Sequence, residues 1–229
     1  MKLATLLRHV DMKENEVWDS RFYITRFFPL LAEENQVGLC AILTKYDIED
    51  VCDICDGLII PGSAMDIDPK YFGGTPLNPP QEVDEYALDS KAIECFEKAG
   101  KPIFGICGGF QDINIYFGGD IVKNTDGPNH YGAEVRHEID IVKGSFVYDV
   151  FGSEKAVVNS YHNWKLGRVA DGFDVVARSV DGVVEAIENK ERKIFATEWH
   201  PELSYHNGDV IERKFFKNFV ECCRKNSQK

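Results

Sequence analysis

The chain has 229 residues, a formal net charge of −12 and 44% hydrophobic residues. That length supports one sizeable core, and the acidic balance excludes the basic face that nucleic-acid binding needs. No apolar run approaches the roughly 20 residues of a membrane span, and Arg8 and His9 stand where a secretory core would continue. The expectation is a cytoplasmic protein with neither a membrane nor a nucleic-acid partner. Seven cysteines, an odd count in a chain this long, do not make a disulfide scaffold and suit a reducing compartment.

In chain order, residues 1–10 read as a first strand. Residues 15–35 read as a helix, with Val17, Phe22 or Tyr23, Ile24, Phe27, Phe28, Leu30 and Leu31 as an apolar stripe broken only by Pro29. A strand over 38–43, a short helix over 47–52 and a third strand over 56–60 follow. Cys52 and Cys55 form a C-x-x-C pair. It precedes a strand instead of opening a helix and has no second pair, so neither a zinc site nor a redox pair is expected. Residues 61–80 form a long Pro- and Gly-rich loop. Such a loop after a strand's carboxyl end can reach the ligand crevice of an open α/β sheet. Asp66 and Asp68 within it read as solvated carboxylates, not as a metal pair.

A helix over 81–99, a strand over 101–106 and a helix over 109–117 complete a β-α alternation, the grammar of a parallel sheet with helices on both faces. The pattern then changes to short strands over 137–142, 155–159, 173–179, 183–188 and 194–199, with turns at Asp171-Gly172 and Asp181-Gly182. A helix over 210–223 closes the chain. The prediction is one three-layer α/β/α domain over 1–229, with a central, mostly parallel sheet and a smaller antiparallel strand region.

Cys107 sits at the corner between the 101–106 strand and the 109–117 helix, flanked by Gly105, Gly108 and Gly109. A sharp strand-to-helix turn with small neighbours lifts a nucleophile out of the sheet. It also aims the first helix N–H groups at the atom under attack. A thiol nucleophile needs a base, and the base needs an orienting group. His200 and Glu202 are the candidates: two residues apart at the end of a strand, they would lie on one side of an extended chain.

Gly105-Ile106-Cys107-Gly108-Gly109-Phe110-Gln111 resembles the G-x-C-x-G-x-Q signature of class I glutamine amidotransferases, and Trp199-His200-Pro201-Glu202 resembles that family's W-H-P-E. Three further stretches are similar to the peptidase C26 branch, typified by γ-glutamyl-γ-aminobutyrate hydrolase. They are residues 57–63 followed by Asp66-Ile67-Asp68-Pro69, the segment Val158-Asn159-Ser160-Tyr161-His162, and the hairpin over 181–188. The resemblance implies a flavodoxin-like fold, a Cys107–His200–Glu202 triad passing through a γ-glutamyl thioester, and no cofactor or metal. It implies oxyanion and substrate contacts from Gly62, Ser63, Gly108, Gln111, Ser160, Tyr161 and His162.

Departures at Gly108, at residues 118–123 and at Tyr161-His162-Asn163 lie where substrate is read, and leave the amine open. The favoured reading is a hydrolase of small γ-glutamyl amides. The alternatives are a glutaminase subunit feeding ammonia to a separate synthase chain, a hydrolase of a γ-glutamyl group carried on a nucleotide or sugar, and a silent binding protein. A synthase partner and a homodimer are both compatible with the sequence.

Overall fold

The computed structural model describes residues 1–11, 20–81, 83–125, 128–205 and 210–228. Its first half alternates strands and helices: β1 (Lys2–Leu6), β2 (Arg8–Asp11), β3 (Ser20–Tyr23), α1 (Phe27–Glu34), β4 (Gly38–Ile42), α2 (Ile48–Ile54), β5 (Gly57–Ile60), α3 (Glu85–Lys98), β6 (Ile103–Ile106) and α4 (Gly108–Tyr116). The second half holds β7 (Ile121–Lys123), β8 (Tyr131–Ile141), α5 (Phe146–Phe151), β9 (Lys155–Tyr161), β10 (Trp164–Leu166), β11 (Asp174–Ser179), β12 (Val184–Asn189), β13 (Ile194–Thr197) and α6 (Arg213–Ser227).

One nine-stranded sheet runs through the molecule in the order β4-β1-β5-β6-β13-β12-β11-β8-β9. β4, β1, β5, β6 and β13 pair in parallel. β12, β11, β8 and β9 continue the same sheet antiparallel. The sequence therefore predicts both the three-layer fold and the antiparallel region, which extends the central sheet instead of standing apart. Residues along each strand alternate between two cores, as the two-residue strand period requires. Ala4, Leu58, Ile60 and Ile103 pack with α2, α3 and α4 on one face. Leu3, Ile59 and Phe104 pack with α1, α5 and α6 on the other.

The helix expected over 15–35 is only partly present. Residues 12–19 lie outside the described residues, and Ser20–Tyr23 is a strand paired antiparallel with Arg8–Asp11. Pro29 gives the reason: it is the third residue of α1, and in the first turn a missing N–H costs nothing, whereas deeper in a helix it would break the ladder. α3 starts at Glu85, not 81, because Asp84 caps it by accepting from the Ala87 N–H at 3.1 Å. α6 likewise starts three residues later than expected. β7, β10 and α5 are too short to leave a periodic signal. The short β7–β10 pair stands apart from the main sheet.

Candidate active site

β6 ends at Ile106 and α4 begins at Gly108, so one residue makes the corner. That residue, Cys107, has φ 49° and ψ −104°, a conformation an L residue adopts only when its surroundings force it. The Cys107 N–H donates to Thr197 O on β13 at 2.8 Å, which pins the corner to the neighbouring strand. Gly109 makes the turn feasible: a Cβ there would lie 2.3 Å from Ile60 O. α4 therefore lies directly on β5, and its first N–H groups have no partner inside the helix.

The second component comes from the far end of the chain. β13 stops at Thr197, and Pro201 opens a 3-10 turn over Pro201–Tyr205. His200 and Glu202 therefore meet through this turn, not along an extended strand as the spacing suggests. The outcome is the same: His200 Nδ1 lies 2.7 Å from Glu202 Oε1. With Nδ1 taken, Nε2 is the nitrogen left to face the Cys107 thiol. Burial pushes the His200 pKa down, but Glu202 and then Cys107 more than reverse it, so the imidazole titrates well above its ordinary value. Asn159 on β9 holds the His200 backbone from both sides, donating to its carbonyl at 2.8 Å and accepting from its N–H at 3.0 Å.

The third component is the turn after β5. A Cβ built on Gly62 would sit 2.6 Å from His200 Cε1 and 3.4 Å from Cys107 Cβ, so thiol and imidazole share the space above this residue. A Cβ on Gly108 would lie 2.9 Å from the Ser63 backbone nitrogen. Gly62→Ala is expected to push the imidazole aside and lower activity on the order of 100-fold, with kcat falling and the melting midpoint nearly unchanged. Wild-type kcat in this variant would contradict the crowding.

Arg8, at the start of β2, holds this turn from beneath. Its Nε lies 3.1 Å from Pro61 O and 3.2 Å from Gly62 O, and its Nη2 lies 2.5 Å from Pro61 O. Its Nη1 lies 2.7 Å from Asp89 and 3.5 Å from Glu85, and Nη2 lies 3.8 Å from Asp112. Glu85 also accepts from Ser63 Oγ at 2.5 Å. Burial, with Asp89 adding, pushes the Asp112 carboxyl well above the usual range despite Arg8. Arg8→Met leaves these acids without their cation, and breaking such a buried cluster costs about 3–5 kcal/mol. A urea unfolding midpoint unchanged by the substitution would contradict this.

Residues 11–202 match the family model described as Peptidase C26. The chain belongs to the peptidase C26 family. This C26 chain is 31% identical over 187 residues to the glutamine amidotransferase-like protein YvdE of Lactococcus lactis, covering 76% of this chain and 77% of that one. It is 28% identical to one chain of the glutamine-hydrolyzing GMP synthase of Thermoplasma acidophilum, with 82% of each chain covered. A crystal structure of a glutamine amidotransferase from Thermotoga maritima superposes with TM-score 0.62 at 14% identity, over 99% of this chain and 91% of that one, which shows a shared fold.

The other predicted residues of this C26 chain take varied positions. Gln111, on α4, donates to the buried Glu198 Oε1 at 2.6 Å. Burial, with Glu185 adding, pushes the Glu198 carboxyl well above its usual range. Tyr161 sets its ring edge-on to His200, centroids 5.7 Å apart. Ser160 is fully buried and donates to His130 O at 2.7 Å. His162 is buried and directed toward Glu185 and Glu198, 3.7 and 3.5 Å away. Asp66 accepts from Trp164 Nε1 at 2.8 Å, and Asp68 caps the 3-10 turn Pro69–Phe72. Asp68 is thus buried, not solvated as expected. Cys52 and Cys55 have thiols pushed up to about 12, first by burial and then by their neighbours Cys95 and Cys40.

Arg8, Glu85 and Glu198 carry no motif and are not legible as site residues; Asn159 stands inside a quoted segment without a role. A hollow of about 560 Å³ lies away from Cys107, against Phe104, Phe146, Phe195, Phe215 and Phe219. The thiol in its lining, Cys222, is pushed up by burial and has no imidazole beside it there. Among the described residues, no helix is long and apolar enough to cross a membrane.

Proposed function

We propose that the chain is a single glutamine amidotransferase-type domain over 1–229 that hydrolyses small γ-glutamyl amides in a reducing, cytoplasmic setting, where its seven cysteines stay free. The observation that carries this reading is the meeting of the Cys107 thiol and the His200 ring over Gly62, with Glu202 on the far ring nitrogen. His200 Nε2 takes the thiol proton as the sulfur attacks the δ-carbonyl, forming the C–S bond and a tetrahedral oxyanion. N–H groups at Gly62-Ser63 and Gly108 face that oxyanion, and donors so placed are worth on the order of 3 kcal/mol each. Collapse breaks the C–N bond, and His200 returns the proton to the leaving amine. Water, deprotonated by His200, then cleaves the thioester to glutamate and regenerates the thiol. Gln111 and Tyr161 line the route by which the glutamyl group is read.

A panel of γ-glutamyl amines and glutamine, assayed for glutamate release by the purified chain alone, tests the reading. Release without any added protein supports it; no release from any member overturns it. A second reading, a glutaminase chain of a two-chain synthase, is favoured by the likeness to the Thermoplasma acidophilum GMP synthase chain along most of both sequences. It predicts release from glutamine only once a synthase chain is added.

A further inference from the structure

We propose that His130, His137 and Glu185 hold a zinc-class divalent cation, with His162 as the fourth ligand, in a closed site distinct from the Cys107 corner. No metal is expected from the sequence, in which these four groups are spread over more than fifty positions. The fold gathers them. β8 advances from Tyr131 to Arg136 while its partner β9 moves only from Tyr161 to Asn159, a bulge that returns His130 to the side of His137, ring centroids 4.6 Å apart. β12 brings Glu185, and the end of β9 brings His162.

The ring tautomers decide what can lie between them. His162 Nδ1 lies 2.8 Å from Trp164 O, and a carbonyl only accepts, so that nitrogen carries the proton and Nε2 has a bare lone pair. His130 Nε2 lies 3.0 Å from Asp181 Oδ2, which likewise fixes its proton there and bares Nδ1. These two nitrogens face each other at 3.1 Å, a repulsive contact unless a proton or a metal cation lies between them. Glu185 Oε1 converges on the same point, 3.6 Å from His130 Nδ1 and 3.7 Å from His162 Nε2. His137 Nε2 lies 3.0 Å from that oxygen. That approach is too bent for a hydrogen bond: both ring nitrogens of His137 and both oxygens of Glu185 are buried without an aligned partner among the described residues.

Hydrogen bonds need donor and acceptor on one axis; ligands instead point at a shared centre. Zinc–nitrogen bonds of about 2.05 Å at the tetrahedral angle place neighbouring ligand atoms roughly 3.3 Å apart. Four of the six spacings among these ligand atoms, from 3.0 to 3.7 Å, bracket that value. The ligand atoms of His130, His137 and Glu185 all lie within 4.8 Å of one another. Imidazole and carboxylate donors suit zinc over magnesium or calcium, which prefer oxygen alone. Asp181 on His130 and the Trp164 carbonyl on His162 are the outer partners that orient metal-bound imidazoles. Four protein ligands leave no open position, so the ion would be structural, tying β8, β9 and β12 together beside Glu198 and Gln111.

The test uses the full chain, stripped with chelator and titrated with zinc chloride by calorimetry, then with cobalt(II) followed by visible absorption. One equivalent of zinc, a rise in melting temperature and an intense tetrahedral cobalt spectrum are expected. Glu185→Gln and His137→Ala should each weaken binding at least about 100-fold, and Cys107→Ser should bind as the wild type does. No stoichiometric binding by the wild type, binding that survives both ligand substitutions, or binding lost in Cys107→Ser would overturn the proposal. If a ligand variant fails to fold, the wild-type cobalt spectrum decides: a weak octahedral spectrum, or none, overturns it too.

Discussion

Cys107→Ala is expected to lower hydrolysis of a γ-glutamyl amide by at least about 10⁴-fold, because the covalent route disappears with the sulfur. The fold should persist. Alanine keeps the Cβ that the corner already accommodates at φ 49°, and the Cys107 backbone bond to Thr197 O does not involve the side chain. The variant should therefore melt close to the wild type while its kcat collapses and its affinity for substrate survives, measured by calorimetry with an uncleaved amide. A variant retaining more than a few per cent of kcat would mean that another group does the chemistry. The Cys52, Cys55 and Cys223 thiols are poor candidates, because burial pushes them far up.

Glu202→Gln should cost about 10²- to 10⁴-fold in kcat, because an amide can present the wrong hydrogen-bonding face to Nδ1 and no longer balances the imidazolium. The same substitution has a signature in stability. The folded-state pKa of His200 is raised, so protonation of this ring stabilises the native state. That contribution is fully present below the ordinary histidine value and is lost as pH rises through the raised one. Removing the Glu202 charge lowers the folded value. The gap in urea midpoint between wild type and Glu202→Gln should then be wide at pH 5.5 and narrow in alkaline buffer. A gap independent of pH would show that Glu202 does not hold the proton on His200.

Much of this site is legible in the sequence because its signals are local. Three glycines around one cysteine at a strand–helix junction have a steric cause that the structure exhibits: at Gly109 there is no room for a methyl against Ile60 O. His200 and Glu202 are legible as a pair, although a 3-10 turn joins them, not strand alternation. What stays hidden depends on residues distant in sequence that meet only after folding. Arg8 gives no motif, yet it ties the Pro61-Gly62 carbonyls to Asp89 on α3 and Asp112 on α4. His130 and His137 look unremarkable along the chain, since only a bulge in β8 brings them side by side. The 15–35 helix fails for a different reason. Its apolar stripe runs on through Pro29, but a proline at that place marks the first turn of a helix that starts at Phe27.

The most direct measurement is to quench the purified chain with acid within milliseconds of mixing with a γ-glutamyl amide, and to map its peptides by mass. A γ-glutamyl group on the peptide containing Cys107, released by hydroxylamine and accumulating in a variant at His200, is the predicted result. Turnover with that peptide unmodified, or with the group carried on a different residue, would contradict the thioester route and the pairing of sulfur and imidazole on which it stands.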